Sequence, residues 1–418
     1  MIRADISNVW CSVSLPELLQ NERRLYDTHM EMAGGEYRKN GLFGWLSLSG
    51  SLRRTWLSGI TRAAEEIRSR SEILVVVGMG QTVAGARAAL RQFLGRRAPT
   101  PRLLFLGDSY SADDWLDVAS ALEGRDFSVL VCSPTGNETA PLVILRALCR
   151  IMEKRYGDEM GKRIYVAVPE GQNALRSLAA SGKYGLLEHP AEPVGSRSAL
   201  SAGGLLIMAA AGMNADLIFD GALAGFEACD ARNLDNPAWL RAAARVALAE
   251  KGIRDEFLCT PSPASAELGQ WWAKTVSGWS RDGKGIRASS LRLFADLSTA
   301  GGLLFDGEDA HFATVLRLPP DRRKASVEMQ WKNEDNLRSL AGQDFGYLND
   351  RMLDAVQNAM TESGVPFVTV ECADPMTDDK IAELLYFAEF SSALSAQTMG
   401  LAPSLHPAGR DLLEKTEL

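Results

Sequence analysis

Between residues 73 and 168 the chain alternates short, wholly apolar runs with longer segments of mixed polarity. Ile73–Val77 reads Ile-Leu-Val-Val-Val. A run with no polar position has no solvent face, which predicts a parallel strand covered by helices on both sides. Leu103–Leu106, Ser128–Cys132 and Ile164–Val168 repeat the pattern. The intervening segments Val83–Leu94, Ala112–Leu122, Glu138–Arg155 and Asn173–Ser181 carry apolar residues at helical spacing. Four strand-helix units in succession specify an open, doubly wound sheet.

The flanking regions are read the same way. Leu18, Leu19 and Leu25 mark helix in the first sixty residues, Gly41–Leu46 is a turn, and Ser51–Arg70 is an amphipathic helix. Ser198–Ala215 is uncharged but holds two serines, three glycines and an asparagine, so it reads as a buried helix rather than a membrane span. Further on, Glu256–Thr260, Phe312–Leu316 and Phe367–Glu371 read as strands, and Ser265–Ser277, Asn349–Glu362 and Asp378–Met399 as helices. The expected fold class is α/β, with two doubly wound parallel-sheet subdomains, each a three-layer α/β/α stack, and extra N- and C-terminal helices. The expected boundaries are an N-terminal helical segment over 1–60, a first subdomain over 61–190, connecting helices over 191–252, and a second subdomain with a C-terminal tail over 253–418.

Composition narrows the functional classes. The 418 residues are 46% hydrophobic and 23% charged, an ordinary globular balance that can bury a full core. Lys plus Arg number 45 against 53 Asp plus Glu, a net charge of -8, which disfavours nucleic acid and anionic membrane as partners. The six cysteines are scattered and form no C-x-x-C pair, so they read as buried free thiols of a cytoplasmic protein. Four histidines with no pair at ligand spacing argue against a protein metal site, and no cofactor is implied. The segment Met1–Cys11 lacks the apolar stretch of a secretory signal.

In an open parallel sheet, ligands bind beyond the carboxyl ends of the strands, which directs attention to Gly78–Thr82 and Ser133–Thr139. Gly78-Met-Gly-Gln-Thr begins like a dinucleotide fingerprint, but Val83 stands where the third glycine would. Ser133-Pro-Thr-Gly-Asn-Glu-Thr follows a strand and opens a helix, presenting the hydroxyls of Ser133, Thr135 and Thr139 with free amide N–H groups to an anion. A Ser/Thr-rich helix cap with no ligand would have the same residues.

Taken in order, these loops resemble the phosphoglucose isomerase family, whose halves are sugar-isomerase (SIS) domains. Its G-I-G-G-S loop is similar to Gly78-Met79-Gly80-Gln81-Thr82, and its S-K-[ST]-x-T-T-x-E-T phosphate loop to Ser133-Pro134-Thr135 with Glu138-Thr139, two residues shorter. Val194-Gly195-Ser196-Arg197-Ser198-Ala199-Leu200-Ser201 resembles the V-G-G-R-x-S-x-L-S segment, and Trp272-Ala273-Lys274 with Gly283-Lys284-Gly285 frames the catalytic W-x-K-Q-L-x-x-E-S-x-G-K stretch. The resemblance runs colinearly from about Gly41 to the C-terminus. It implies SIS subdomains, a phosphorylated sugar as substrate, a homodimer, phosphate contacts from Gly80, Gln81, Thr82, Ser133, Thr135 and Thr139, and catalytic roles for Arg197 and Lys415.

The departures fall on the chemistry. The family's carboxylate, which moves a proton between C1 and C2 through an enediol, falls on Trp279 or Ser280, and its ring-opening histidine on Ser298. The phosphate-loop lysine falls on Pro134, and the C-terminal lysine on Leu413, with Lys415 two residues on. Losing a general acid or base costs about a hundredfold to ten-thousandfold in rate. Two expectations follow from this: a sugar-phosphate aldose-ketose isomerase with a remodelled catalytic site, or a non-catalytic sugar-phosphate-binding regulator or subunit.

Overall fold

The computed structural model describes residues 2–34, 50–189, 198–280, 284–305, 310–319, 323–329, 332 and 334–401. The expected turn at 41–46, Arg197 and Lys415 lie outside the described residues. The chain divides into two compact units, one built mainly on Asp27–Leu90 and Arg96–Leu223, the other mainly on Met1–Tyr26 and Ala224–Met399.

The chain opens with a strand, β1 (Ile2–Asp5), followed by helices α1 (Leu15–Gln20), α2 (Glu22–Ala33) and α3 (Gly50–Arg70). The first unit then runs through β2 (Ile73–Gly78), α4 (Gln81–Leu94), β3 (Arg102–Leu106), α5 (Ala112–Leu122), β4 (Phe127–Cys132), α6 (Thr139–Tyr156), β5 (Ile164–Pro169), α7 (Ala174–Gly182) and β6 (Gly185–His189). These strands form one fully parallel sheet in the order β3-β2-β4-β5-β6. Every residue of β2, β4 and β5 is buried, as continuous apolar runs require. Val75, Val129 and Val166 pack on one face against Ile144, Leu148 and Met152 of α6. The fourfold alternation anticipated four strands, and β6 makes a fifth.

The uncharged stretch becomes α8 (Ala202–Ala210), a nine-residue helix buried at every position, and α9 (Ala215–Cys229) follows it. In the second unit come α10 (Pro237–Glu250), β7 (Asp255–Thr260), α11 (Ala266–Ser277), β8 (Arg287–Arg292), α12 (Leu297–Leu304), β9 (His311–Arg317), α13 (Phe345–Glu362), β10 (Phe367–Cys372) and α14 (Asp378–Thr398). The sheet order is β1-β10-β9-β7-β8. It is parallel except for β1, which pairs antiparallel with β10 in a register that sets Ile2 opposite Cys372. The expected all-parallel second sheet is thus a mixed one, and the expected N-terminal helical segment supplies its edge. Helix α13 starts four residues before the expected Asn349, because the Asp344 carboxylate accepts the Gly346 amide at 2.8 Å and caps it.

Within the second unit, two arginines and one glutamate are buried together. Arg241 and Arg245 on α10 and Glu256 on β7 are all 2% exposed or less. Arg241 Nη2 donates to Glu256 Oε1 at 2.7 Å, Arg245 Nε to Oε2 at 3.1 Å, and Thr314 Oγ1 to Oε1 at 2.6 Å. The arginines also reach α14 through the hydroxyls of Ser391 and Ser395, and Arg241 lies 4.8 Å from the ring centroid of Trp272 on α11. Burial opposes the Glu256 charge, but Arg245 and Arg241 outweigh it and hold the carboxyl below its ordinary range. A carboxyl depressed in the folded state stabilises the fold above its unfolded pKa and loses that contribution as pH falls through the folded one. Replacing Glu256 leaves two buried guanidiniums uncompensated. Glu256→Gln should lower unfolding free energy by about 3–5 kcal/mol in denaturant titrations at neutral pH. The wild type should lose stability below about pH 4.3 more steeply than the variant does.

Candidate functional site

Numbered within the first unit, its strands lie in the order 2-1-3-4-5, so the chain reverses direction across the sheet between β2 and β4, and a crevice opens beyond their carboxyl ends. Two glycines shape it. A Cβ on Gly78 would stand 2.6 Å from the Cys132 carbonyl oxygen, and one on Gly203 would stand 2.8 Å from Cys132 Sγ, so only glycine admits β4 and α8 this close. The crevice encloses about 10 Å³, roughly one water, and its walls include Thr82, Ser133, Pro134, His189 and Ser201.

The Ser133–Thr139 loop is pinned from within. The Glu138 carboxylate accepts the Thr135 amide at 3.0 Å, the Thr135 hydroxyl at 2.8 Å, and the hydroxyl of Ser133. Ser133 Oγ in turn accepts the Gly136 amide at 2.7 Å. The loop is also fixed to its neighbours, with Ser133 N donating to Ala167 O at 3.1 Å and Ala174 N to Asn137 Oδ1 at 3.0 Å. The hydroxyl protons of Ser133 and Thr135 are therefore already donated to a carboxylate. The Thr135, Gly136 and Asn137 amides are likewise donated within the loop, so an arriving anion meets the α6 N-terminus first and gains the loop's hydroxyl and amide protons only by displacing those internal bonds.

Of the expected phosphate ligands, Thr82 and Ser133 line the crevice together, both buried. Gly80 and Thr135 sit in the two loops, and Gln81 and Thr139 open α4 and α6, without lining it. Gly80 is in the left-handed region at φ +84, and Thr139 is the first residue of α6. His189 and Ser201 were not expected to form the walls. Ser201 lies in a segment quoted above as a landmark, whereas His189 ends the unanticipated strand β6. Cys132 is inert there, since burial pushes its thiol up to about 12. Cys11 is exposed and Cys149 half-buried, so the expectation of six buried thiols holds for Cys132, Cys229, Cys259 and Cys372.

In the second unit, the positions aligned with the family's base are engaged structurally. Trp279 is buried, and the Ser280 hydroxyl donates to the Ile286 carbonyl at 2.6 Å. Ser298 is exposed in the first turn of α12, behind Asp296, whose carboxylate accepts the Arg292 amide at 2.7 Å. Trp272 belongs to the buried arginine cluster and donates its indole N–H to Ser392 Oγ at 3.3 Å. Among the described residues no group of three His, Cys, Asp or Glu side chains could hold a metal ion, and no helix is long and apolar enough to cross a membrane.

The loop geometry makes a direct prediction. Gly136 is left-handed at φ +78, and a Cβ there would stand 2.3 Å from the Asn173 side chain. Gly136→Ala should cost about 1–3 kcal/mol in thermal or denaturant unfolding. Gly80→Ala, equally left-handed but with nothing within 4 Å of the new Cβ, should cost less.

No family model matches the chain. Over 380 residues it is 32% identical to a glucose-6-phosphate isomerase of Bacillus cereus (strain B4264), an alignment spanning 88% of this chain and 84% of the relative. The protein of the same name from Bacillus thuringiensis (strain Al Hakam) matches with the same identity and coverage. Among solved structures, a hypothetical protein from Thermus thermophilus superposes with a TM-score of 0.84 at 18% identity, covering 100% of this chain and 99% of that one. A glucose-6-phosphate isomerase from Chlamydia trachomatis gives 0.74 at 13% identity, covering 96% of this chain and 84% of the other. At those identities the two structures speak for the fold alone.

Proposed function

Because this chain belongs to the glucose-6-phosphate isomerase family, we propose that it binds a phosphorylated hexose at the crevice between β2 and β4, and that it is an aldose-ketose isomerase with a remodelled catalytic site. The observation that carries the binding half is a loop of hydroxyls and amides held at the start of α6 by its own hydrogen bonds. A helix N-terminus favours a phosphate by about 0.3–1 kcal/mol from its dipole, and the N–H groups of the helix's first turn add hydrogen bonds. Thr82 and Ser133 contact the phosphate from the walls, with Gly80, Gln81, Thr135 and Thr139 behind them.

The catalytic half is constrained by what isomerisation needs. A proton must leave C2 and return at C1, or the reverse, with a base beside both carbons. Trp279, Ser280 and Ser298 offer no group that exchanges protons near neutral pH. Arg197 is assigned to the developing enediolate oxygen, where a fixed guanidinium stabilises charge, and Lys415 to the chain's C-terminal contribution. A second reading, a sugar-phosphate-binding regulator or subunit without turnover, is favoured by the engagement of the Ser280 hydroxyl with a backbone carbonyl. In either reading the protein works in the cytoplasm as a homodimer, without cofactor, nucleic acid or membrane, on the sugar phosphates of carbohydrate metabolism, glycolysis and gluconeogenesis included.

Two measurements test this. In calorimetry, Ser133→Ala with Thr135→Ala should weaken glucose 6-phosphate binding, and equal affinity in wild type and double variant would remove the crevice assignment. Conversion of glucose 6-phosphate to fructose 6-phosphate should be slow, and exchange of the C2 proton with deuterated solvent reports base action even when the reaction stalls at the enediol. Asp282, two or three residues past the family's base position, is the carboxylate nearest to it in sequence, and rapid exchange that persists in Asp282→Asn would contradict the loss of the family's base. Tight binding with no exchange would select the regulatory reading.

A further inference from the structure

The loop after β4 already holds an anion of the protein's own. The Thr135 amide and hydroxyl both donate to Glu138 Oε1, at 3.0 and 2.8 Å, and the Ser133 hydroxyl donates to Oε2. Three donors thus converge on the two oxygens of one carboxylate, an arrangement that would equally hold two oxygens of a phosphate or sulfate. Glu138 stands at the N-cap position of α6, yet its side chain makes no cap hydrogen bond to the helix. The carboxylate turns back into the loop instead, and leaves the first-turn N–H groups of α6 to an incoming anion.

The loop backbone is tied down at points that this carboxylate does not touch. Ser133 N donates to Ala167 O of β5 at 3.1 Å, the Gly136 carbonyl accepts the Leu175 amide of α7 at 3.0 Å, and Asn137 Oδ1 accepts the Ala174 amide at 3.0 Å. Glu138 is half-buried, so its side chain can turn out to water while the backbone stays in place. Two anions cannot share the same donors at hydrogen-bond distance without strong like-charge repulsion. Resting on the reading of the crevice as a sugar-phosphate site, we propose that Glu138 is an internal competitor of the substrate's phosphate. Its carboxylate holds the protons of Ser133 and Thr135 until a phosphate, arriving at the α6 N-terminus, displaces it. Affinity is then set by the exchange of one anion for another at the same donors, and Glu138 is the residue that lowers it.

The sign of one substitution separates this role from a purely structural one. Removing a carboxylate that only orders the loop leaves a weaker site, whereas removing a competitor leaves a tighter one. In calorimetry on the full chain at fixed ionic strength, Glu138→Gln should bind sulfate and glucose 6-phosphate about tenfold or more tightly than wild type, the scale on which one like charge acts at close range. Gln keeps a carbonyl oxygen for the Thr135 amide, so the turn retains an acceptor. Equal or weaker affinity in Glu138→Gln that a thermal melt shows to be folded overturns the proposal. A crystal structure of the wild type with sulfate decides independently, and alone if the variant does not fold. Sulfate oxygens on the Thr135 amide with the carboxylate turned away bear out the displacement, and a carboxylate still accepting that amide beside bound sulfate overturns it. Weaker binding by Ser133→Ala with Thr135→Ala, alongside unchanged affinity in Glu138→Gln, sinks this inference while sparing the crevice reading. Absence of binding of both anions to wild type and Glu138→Gln alike removes the crevice reading and this inference together.

Discussion

The close approach of β4 to β2 and α8 governs the rest of the first unit. Gly78 and Gly203 leave no room for a Cβ against Cys132, and residues at the carboxyl side of four parallel strands, β2, β4, β5 and β6, line one narrow crevice. That convergence sets the Ser133 loop where a helix N-terminus, a strand end and the start of α8 meet. A methyl group at either glycine would press on backbone or thiol and push these elements apart, so the binding geometry and the core packing are one constraint.

Within that frame, Glu138 does two opposed things. It satisfies the Thr135 amide and both loop hydroxyls, which keeps a turn of polar groups ordered, and it places a negative charge where an anion must come. In the buried Arg241–Glu256–Arg245 cluster of the second unit two cations share one anion, and the Ser391 and Ser395 hydroxyls accept one further donor from each arginine. There the charges tie α10, β7 and α14 together, and the family landmark Trp272 is held by the same cluster through its contact with Arg241.

How much was legible in the sequence depended on burial. The central strands β2, β4, β5, β9 and β10, and β7 beside them, were each found to within a residue, because a strand covered on both faces must be apolar nearly throughout. The strands that escaped notice, β1, β6 and β8, are all at sheet edges. Arg287-Ala-Ser-Ser-Leu-Arg is polar at most positions since it pairs on one side and meets solvent on the other, and Gly185–His189 is short and follows the left-handed Lys183. Missing β6 meant missing His189, because a histidine counted along the chain gives no sign that it closes a crevice. The loops after β2 and β4 were legible from their hydroxyls and glycines, but the engagement of Ser133 and Thr135 by Glu138 depends on a turn conformation that residue identity leaves open.

The central claim is that the phosphate of a sugar phosphate is held at the Ser133 loop while the family's proton-transfer groups are absent from the sugar carbons. A crystal structure of the protein with glucose 6-phosphate tests both parts at once. The account predicts the phosphate at the α6 N-terminus, against Ser133 and Thr82, with no carboxylate or imidazole within about 3 Å of C1 or C2. A phosphate bound elsewhere, or a Glu, Asp or His in contact with both carbons, would contradict it.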